Sequence, residues 1–253
     1  MPLVRLQHSV RRPEPAFLSL VLVVLMAALG FSARAQNIVI NEIMYHPSSH
    51  NAREEYIELF NAGPTNVNLT GWKFTKGVNF SFPSNTVIPA SGYLVVAAER
   101  QAFTNKYPAV ANFVAGFVVL RTTNIVGYTY TNFANSLSNT RDTLRLEDGG
   151  GNTIDEVTYG DDGDWALRQR GQLDLGYQGW TWYTPADGLG KSIELINPNQ
   201  PNEYGQNWAA STTLNGTPGA ANSVASANHA PLILDVAHSP IIPQPTEIGR
   251  AHV

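Results

Sequence analysis

From residue 38 onward, apolar and polar positions alternate with the two-residue period of strands. Residues 38–45 (IVINEIMY), 55–60 (EYIELF) and 71–74 (GWKF) each follow this pattern. Turn-forming stretches separate them, at His46-Pro47-Ser48-Ser49, Asn61-Ala62-Gly63-Pro64 and Lys76-Gly77. Further strands are expected at 79–82, at 92–98 (GYLVVAA, apolar enough to be buried on both faces), at 143–147 and at 153–159. The last two flank Asp148-Gly149-Gly150-Gly151-Asn152, a hairpin loop whose glycines permit positive φ. One stretch, 97–103, is rich in helix formers, and Tyr107-Pro108 stops it. Residues 108–139 carry mixed signals, with the apolar 113–120 read as part of an inserted hairpin. Residues 165–185 are rich in Gly and Trp and read as a long loop or insertion laid across the body of the domain. Short strands with turn signals every 8 to 12 residues predict an all-β sandwich rather than a parallel sheet.

The chain ends differ from this body. Arg5, Arg11 and Arg12 precede an uncharged apolar run over 16–31, and Ala33-Arg34-Ala35 follows with small residues where a signal peptidase reads. Residues 1–35 are therefore expected to be a secretory signal, since the run stops short of the roughly 20 apolar residues a spanning helix needs. An uncleaved N-terminal anchor is the alternative. After Trp208 the composition shifts: 215–223 (NGTPGAANS) reads as a linker with no apolar pattern to bury, and the domain is bounded at 38–223. Residues 224–247 are expected to continue the linker and, from Pro231-Leu232-Ile233-Leu234, to begin a further β domain. The last six residues, 248–253, resemble the translation of a sequencing adapter.

Composition removes several classes of function. None of the 253 residues is a cysteine, so disulfides, thiolate metal sites and cysteine nucleophiles are absent. Net charge is -4, and loss of residues 1–35 would take away four Arg and one Glu and leave -7. Such a chain lacks the basic face that nucleic-acid binding requires.

Three patches together resemble one family. The segment Ile40-Asn41-Glu42-Ile43-Met44-Tyr45, then Glu55-Tyr56-Ile57-Glu58-Leu59-Phe60-Asn61, then Leu69-Thr70-Gly71-Trp72 resembles the opening of the lamin tail domain as it occurs in secreted bacterial proteins. Residues 137–146 and 154–159 resemble its closing hairpin. The resemblance covers roughly 38–223. It implies an immunoglobulin-like β-sandwich and no catalytic residue. Residues 108–135 and 161–185 are longer than the family core requires, so no loop-based binding surface carries over. Residues 190–198, Asn207-Trp208-Ala209 and Gly216-Thr217-Pro218-Gly219 resemble the end of such domains in large surface proteins, some of which continue into a spore-coat-kinase-like domain or other β modules.

Candidate chemistry is sparse. Gly190-Lys191-Ser192 lacks the first glycine and the helix of a phosphate loop. No Gly-x-Ser-x-Gly elbow occurs. His46 and His50 stand four apart, a spacing that holds a metal on a helix, but Pro47-Ser48-Ser49 lies between them and a solvated loop is expected. Asp161, Asp162 and Asp164 form the best calcium candidate, although the spacing is not that of an EF-hand and an ordinary acidic turn accounts for them. Glu42, Glu55 and Glu58 with Asp142, Asp155 and Glu156 are read as strand-edge carboxylates in salt bridges or turn caps rather than as a glycosidase pair. Trp72 and Phe74 alternate on a strand and are assigned to the core. Trp165, Tyr177, Trp180, Trp182 and Tyr183 form the candidate recognition surface, and the competing expectation is that they pack down as a lid. The expected function is a non-catalytic binding or structural module of an exported protein, docking a protein or polysaccharide at the cell surface. The alternative is a targeting domain of a larger secreted enzyme. DNA binding, as in nuclear lamin tails, conflicts with the acidic charge and the export signal.

Overall fold

The computed structural model describes residues 38–125, 128–228 and 231–233. The expectations for residues 1–35, for a further β strand beyond Ile233 and for 248–253 fall outside the described residues.

In chain order the strands begin with β1 (Ile38–Met44), β2 (Tyr56–Asn61), β3 (Val67–Asn68), β4 (Lys73–Lys76), β5 (Phe80–Ser81), β6 (Val87–Ile88) and β7 (Tyr93–Ala97). Helix α1 (Arg100–Lys106) is followed by β8 (Phe113–Ala115), β9 (Val119–Ile125), β10 (Tyr128–Ala134), β11 (Arg141–Glu147) and β12 (Thr153–Gly160). The hairpin strands β13 (Leu167–Asp174) and β14 (Tyr177–Tyr183), then β15 (Ile193–Leu195) and β16 (Trp208–Ala210), complete the set.

Two sheets make the body. The larger runs β16-β15-β1-β2-β7-β8 and the smaller β12-β11-β4-β5. Pairing is antiparallel throughout both except between β7 and β8. Their facing sides share one core, in which Ile40, Ile57, Leu59 and Val96 of the larger sheet meet Phe74, Leu144, Leu146 and Val157 of the smaller. Tyr45 and Tyr159 stack across it with ring centroids 4.9 Å apart. Burying such rings and branched side chains against one another is what holds the two layers together. The result is an immunoglobulin-like β-sandwich, as the alternation predicts.

A bulge sets which residues of β1 face inward. Ile40 opposes Leu59 while Glu42 opposes the next residue, Glu58, so Asn41 is the extra residue. The phase of side chains flips there. Ile38 and Ile40 before the bulge, and Ile43 and Tyr45 after it, all enter the sandwich core. Glu42 and Met44 are thereby turned to the outer face of the larger sheet.

That outer face is covered too. Met44, Tyr56, Val95 and Ala97 pack with Phe103 of α1 in a second cluster, and the chain from Asn215 to Val224 lies across the remainder. The helix begins later than its composition suggests. Glu99 caps it, accepting hydrogen bonds from the backbone N–H groups of Gln101 and Ala102, while Ala97 still pairs with Tyr56 in the sheet. Residues 215–223 are likewise no free linker, because backbone and side-chain bonds to three glutamates fix them (below). The 165–185 stretch is no loop or lid either, for most of it forms the β13–β14 hairpin.

Candidate functional site

Three features outside the sandwich core carry polar or exposed side chains in unusual settings. The first is the β13–β14 hairpin. Arg168 opposes Trp182 and Arg170 opposes Trp180, so these four side chains share one face, while Leu167 opposes Tyr183 on the other. A slip in register after Arg170 accommodates Gly171, and the tip closes on Leu175 and Gly176, both at positive φ. Both guanidinium groups lie over the Trp180 ring, at 4.1 and 4.2 Å from its centroid. Apart from Gly171, every residue of both strands is exposed. The exposures are large for apolar groups: Leu175 92%, Tyr177 82%, Leu173 72%, Trp180 and Trp182 50% each.

Trp165 does not belong to this surface. It is partly buried against the sandwich core, 5.6 Å from Trp208 between ring centroids. Four of the five aromatic residues singled out in the sequence are thus gathered on the hairpin, and one is not. The three aspartates beside Trp165 lie in and around a 3-10 turn, and of their carboxylates only that of Asp164 has a hydrogen-bond partner among the described residues. The Asp161 carbonyl accepts from Thr184 Oγ1 (2.5 Å), Asp162 stands at the head of the 3-10 turn Gly163–Trp165, and Asp164 Oδ2 accepts from Gln206 Nε2 (3.2 Å). Among the described residues no three His, Asp or Glu are gathered so as to hold a metal ion.

The second feature overturns the reading of Glu42, Glu55 and Glu58 as strand-edge groups, because all three are buried. Glu194, Glu42 and Glu58 sit directly opposite one another across β15, β1 and β2 on the outer face of the larger sheet. Like charges in that position repel, and burial denies them water. The chain from Asn215 to Val224 supplies what water would. Glu42 Oε1 accepts from Tyr56 Oη (2.7 Å), Ser192 Oγ (2.6 Å) and the Thr217 amide (2.8 Å). Glu58 accepts from Asn41 Nδ2 (2.8 Å) and the Gly219 amide (2.5 Å), and Glu194 from Thr217 Oγ1, Ser223 Oγ and the Val224 amide. Glu42 Oε2 has no partner among the described residues. Burial pushes the Glu42 carboxyl up to about 7, and burial together with the neighbouring Glu42 holds Glu58 well above the usual carboxylate range.

Glu42, Glu58 and Glu194 are tied by these bonds to the returning chain and work as a clasp. Gly216, at φ +75°, passes so close that a Cβ there would collide with the Glu42 carboxylate, the Tyr56 hydroxyl and Ser192 Oγ. Asn222 completes the attachment through bonds to the Asn41 carbonyl and the Leu195 carbonyl. Asp155 is also structural, accepting from the Ile40 amide and Asn202 Nδ2, both at 2.7 Å. Glu156 does lie in an exposed ion-pair cluster with Arg145 and Lys76, as expected of a strand-edge carboxylate.

The third feature lies at one end of the sandwich. His46 Nδ1 and Asp187 Oδ1 are 2.5 Å apart, and His46 Nε2 is 2.7 Å from His50 Nδ1. Asp187 is far away in sequence, and a backbone bridge between it and His46 brings it in. Both imidazoles line a cleft of about 470 Å3 that also includes Glu55, Leu137 and Asn139. Burial pushes the Glu55 carboxyl up to about 8, against the opposing effect of the Leu137 amide it accepts from at 2.8 Å. The sequence expectation of a solvated loop does not foresee the contact between the two rings, and nothing in the sequence signals Asp187.

A two-sheet all-β sandwich is the class of protein these features define. The lamin tail domain family matches residues 32–161, and the chain belongs to that family of non-catalytic immunoglobulin-like domains. The match ends at the close of β12. The hairpin, β15, β16 and the returning chain 215–224 therefore lie beyond it, although β15 and β16 extend the same sheet and Glu42 and Glu58 of the clasp lie within it. No curated protein matches the chain.

Proposed function

We propose that the chain is a non-catalytic docking module of an exported cell-surface or extracellular protein, and that the β13–β14 hairpin is its recognition arm. The observation that carries this reading is the arm itself. A two-stranded ribbon exposed on both faces is marginally stable alone, yet this one displays Trp180, Trp182, Tyr177, Tyr183, Leu173 and Leu175 to solvent. Covering those groups with a partner would remove the apolar area from water and stiffen the arm at the same time. The partner is a protein or a polysaccharide of the cell surface. The exposed rings of Trp182, Tyr177 and Tyr183, beside the two guanidinium groups that lie over Trp180, suit sugar faces, and the Leu173–Leu175 tip suits a protein pocket.

The test is retention of the whole chain on insoluble polysaccharides and on intact cell envelopes, with Trp180→Ala/Trp182→Ala alongside. Retention of the wild type and its loss in the double variant supports the arm. Retention by envelopes but by no polysaccharide points to a protein partner. Equal retention of both chains would move recognition away from the hairpin and overturn this reading.

A further inference from the structure

The His46–His50 pair, with Asp187 behind His46, has the build of a two-histidine metal site. Sequence spacing alone argued against it, because four residues around a proline do not bring two imidazoles together as a helix does. The fold does so by other means. A turn closed by the His50 amide on the Pro47 carbonyl (2.9 Å) reverses the chain, and His50 adopts φ +53°, a conformation few non-glycine residues take. Gly188 then packs against both rings. A Cβ there would stand 3.0 Å from His50 Cε1 and 3.2 Å from His46 Cε1, and at φ +71° only glycine fits comfortably. A strained residue and a tight glycine at one spot mark a geometry that the surrounding chain enforces.

The chemistry follows from the tautomers. The Asp187 carboxylate only accepts, so the neutral His46 ring beside it has its proton on Nδ1 and its lone pair on Nε2. That lone pair points at His50 Nδ1. A tautomer shift of His50, with its proton on Nε2, would aim a second lone pair at the same spot. Carboxylate to imidazole to metal is the arrangement that fixes ring orientation and raises ligand basicity in metal centres. Two nitrogens each roughly 2.05 Å from a tetrahedral ion stand about 3.3 Å apart. The two nitrogens are 2.7 Å apart, so they need to part by about 0.6 Å, a movement within reach of the exposed His50 side chain.

We propose that His46 Nε2 and His50 Nδ1 chelate one divalent first-row transition ion that favours imidazole, zinc or copper(II), with Asp187 orienting His46 and water filling the remaining positions. Two protein ligands leave at least two positions open, toward the cleft that both rings line. Hard oxygen-seeking ions such as calcium and magnesium have no place there.

The full chain, stripped of metal by chelator, is titrated with zinc chloride by calorimetry, and its copper(II) complex is examined by electron paramagnetic resonance. The expected result is one ion per chain that is lost in His46→Ala/His50→Ala, and a 10- to 100-fold weakening in Asp187→Asn. Two coupled nitrogens in the copper spectrum of the wild type, falling to one in His50→Asn, would locate the ion between the rings. Asparagine tolerates the positive φ, so that variant keeps the turn, and melting curves check that all variants fold. Binding that is equal in wild type and double variant overturns the site. So does calcium binding as tight as zinc, and an Asp187→Asn chain that binds at full strength removes Asp187 from it.

Discussion

The outer face of the larger sheet and the β13–β14 hairpin invert the usual division between inside and outside. On the sheet, Glu42, Glu58 and Glu194 are buried in a row, and every oxygen but one accepts a hydrogen bond. On the hairpin, two Trp, two Tyr and three Leu stand in solvent. The first region stabilises itself with the chain's own backbone: the Thr217, Gly219 and Val224 amides replace water around carboxyls that repel one another. The second has no such cover within the described residues. Buried polar groups that are satisfied locally belong to the fold, whereas exposed apolar groups left uncovered belong to an encounter with something else.

The comparison breaks most sharply at Gly216. Gly216→Val should lose about 3 kcal/mol or more in urea unfolding, because a side chain there meets the Glu42 carboxylate and the positive φ disfavours any β-branched residue. A change of equal size on the hairpin, such as Gly179→Val, meets nothing within 4 Å and should cost far less.

A pH titration gives the next effect. Glu42 is raised to about 7 in the fold and lies near 4.5 when unfolded, so the native chain holds the extra proton. Its share of stability is complete below about 4.5 and is lost as pH rises through 7, by something on the order of 2–3 kcal/mol. Glu58 shifts in the same direction. Glu42→Gln should flatten the stability curve between about pH 4.5 and pH 7; a curve as steep as the wild type's would show that Glu42 does not hold the proton.

Asn222→Ala should cost about 1–3 kcal/mol, since it strands the Asn41 and Leu195 carbonyls. On the hairpin, Trp180→Ala/Trp182→Ala should shift the unfolding midpoint hardly at all, by about 0.5 kcal/mol or less, while abolishing retention by the partner. At the small end, Glu156→Gln removes exposed ion pairs with Arg145 and Lys76 and should change stability by less than about 1 kcal/mol.

Much of the architecture is legible along the chain. The alternation in 38–45, 55–60, 143–147 and 153–159 places four principal strands, because a half-buried strand must repeat every two residues and turns need Gly, Pro, Asn or Asp. The family resemblance resides in those same strands, and the match to residues 32–161 covers them. Four of the hairpin aromatics were visible as a cluster. Their pairing was not, since Gly-rich sequence is compatible with both loop and ribbon.

What sequence alone determined about this protein is its fold class, the order of its main strands, the absence of any cysteine chemistry and the acidic charge. Local periodicity and composition suffice for these. Tertiary structure decided the rest, because it depends on residues that meet across long separations. The bulge at Asn41 turns Glu42 outward into a row with Glu58 and Glu194, and only the return of residues 215–224 makes that row tolerable. The same physics put Trp165 against the core and away from the arm, and brought Asp187 to His46. A carboxylate reads as a surface group in a one-dimensional pattern; only the fold shows which backbone amides come to meet it.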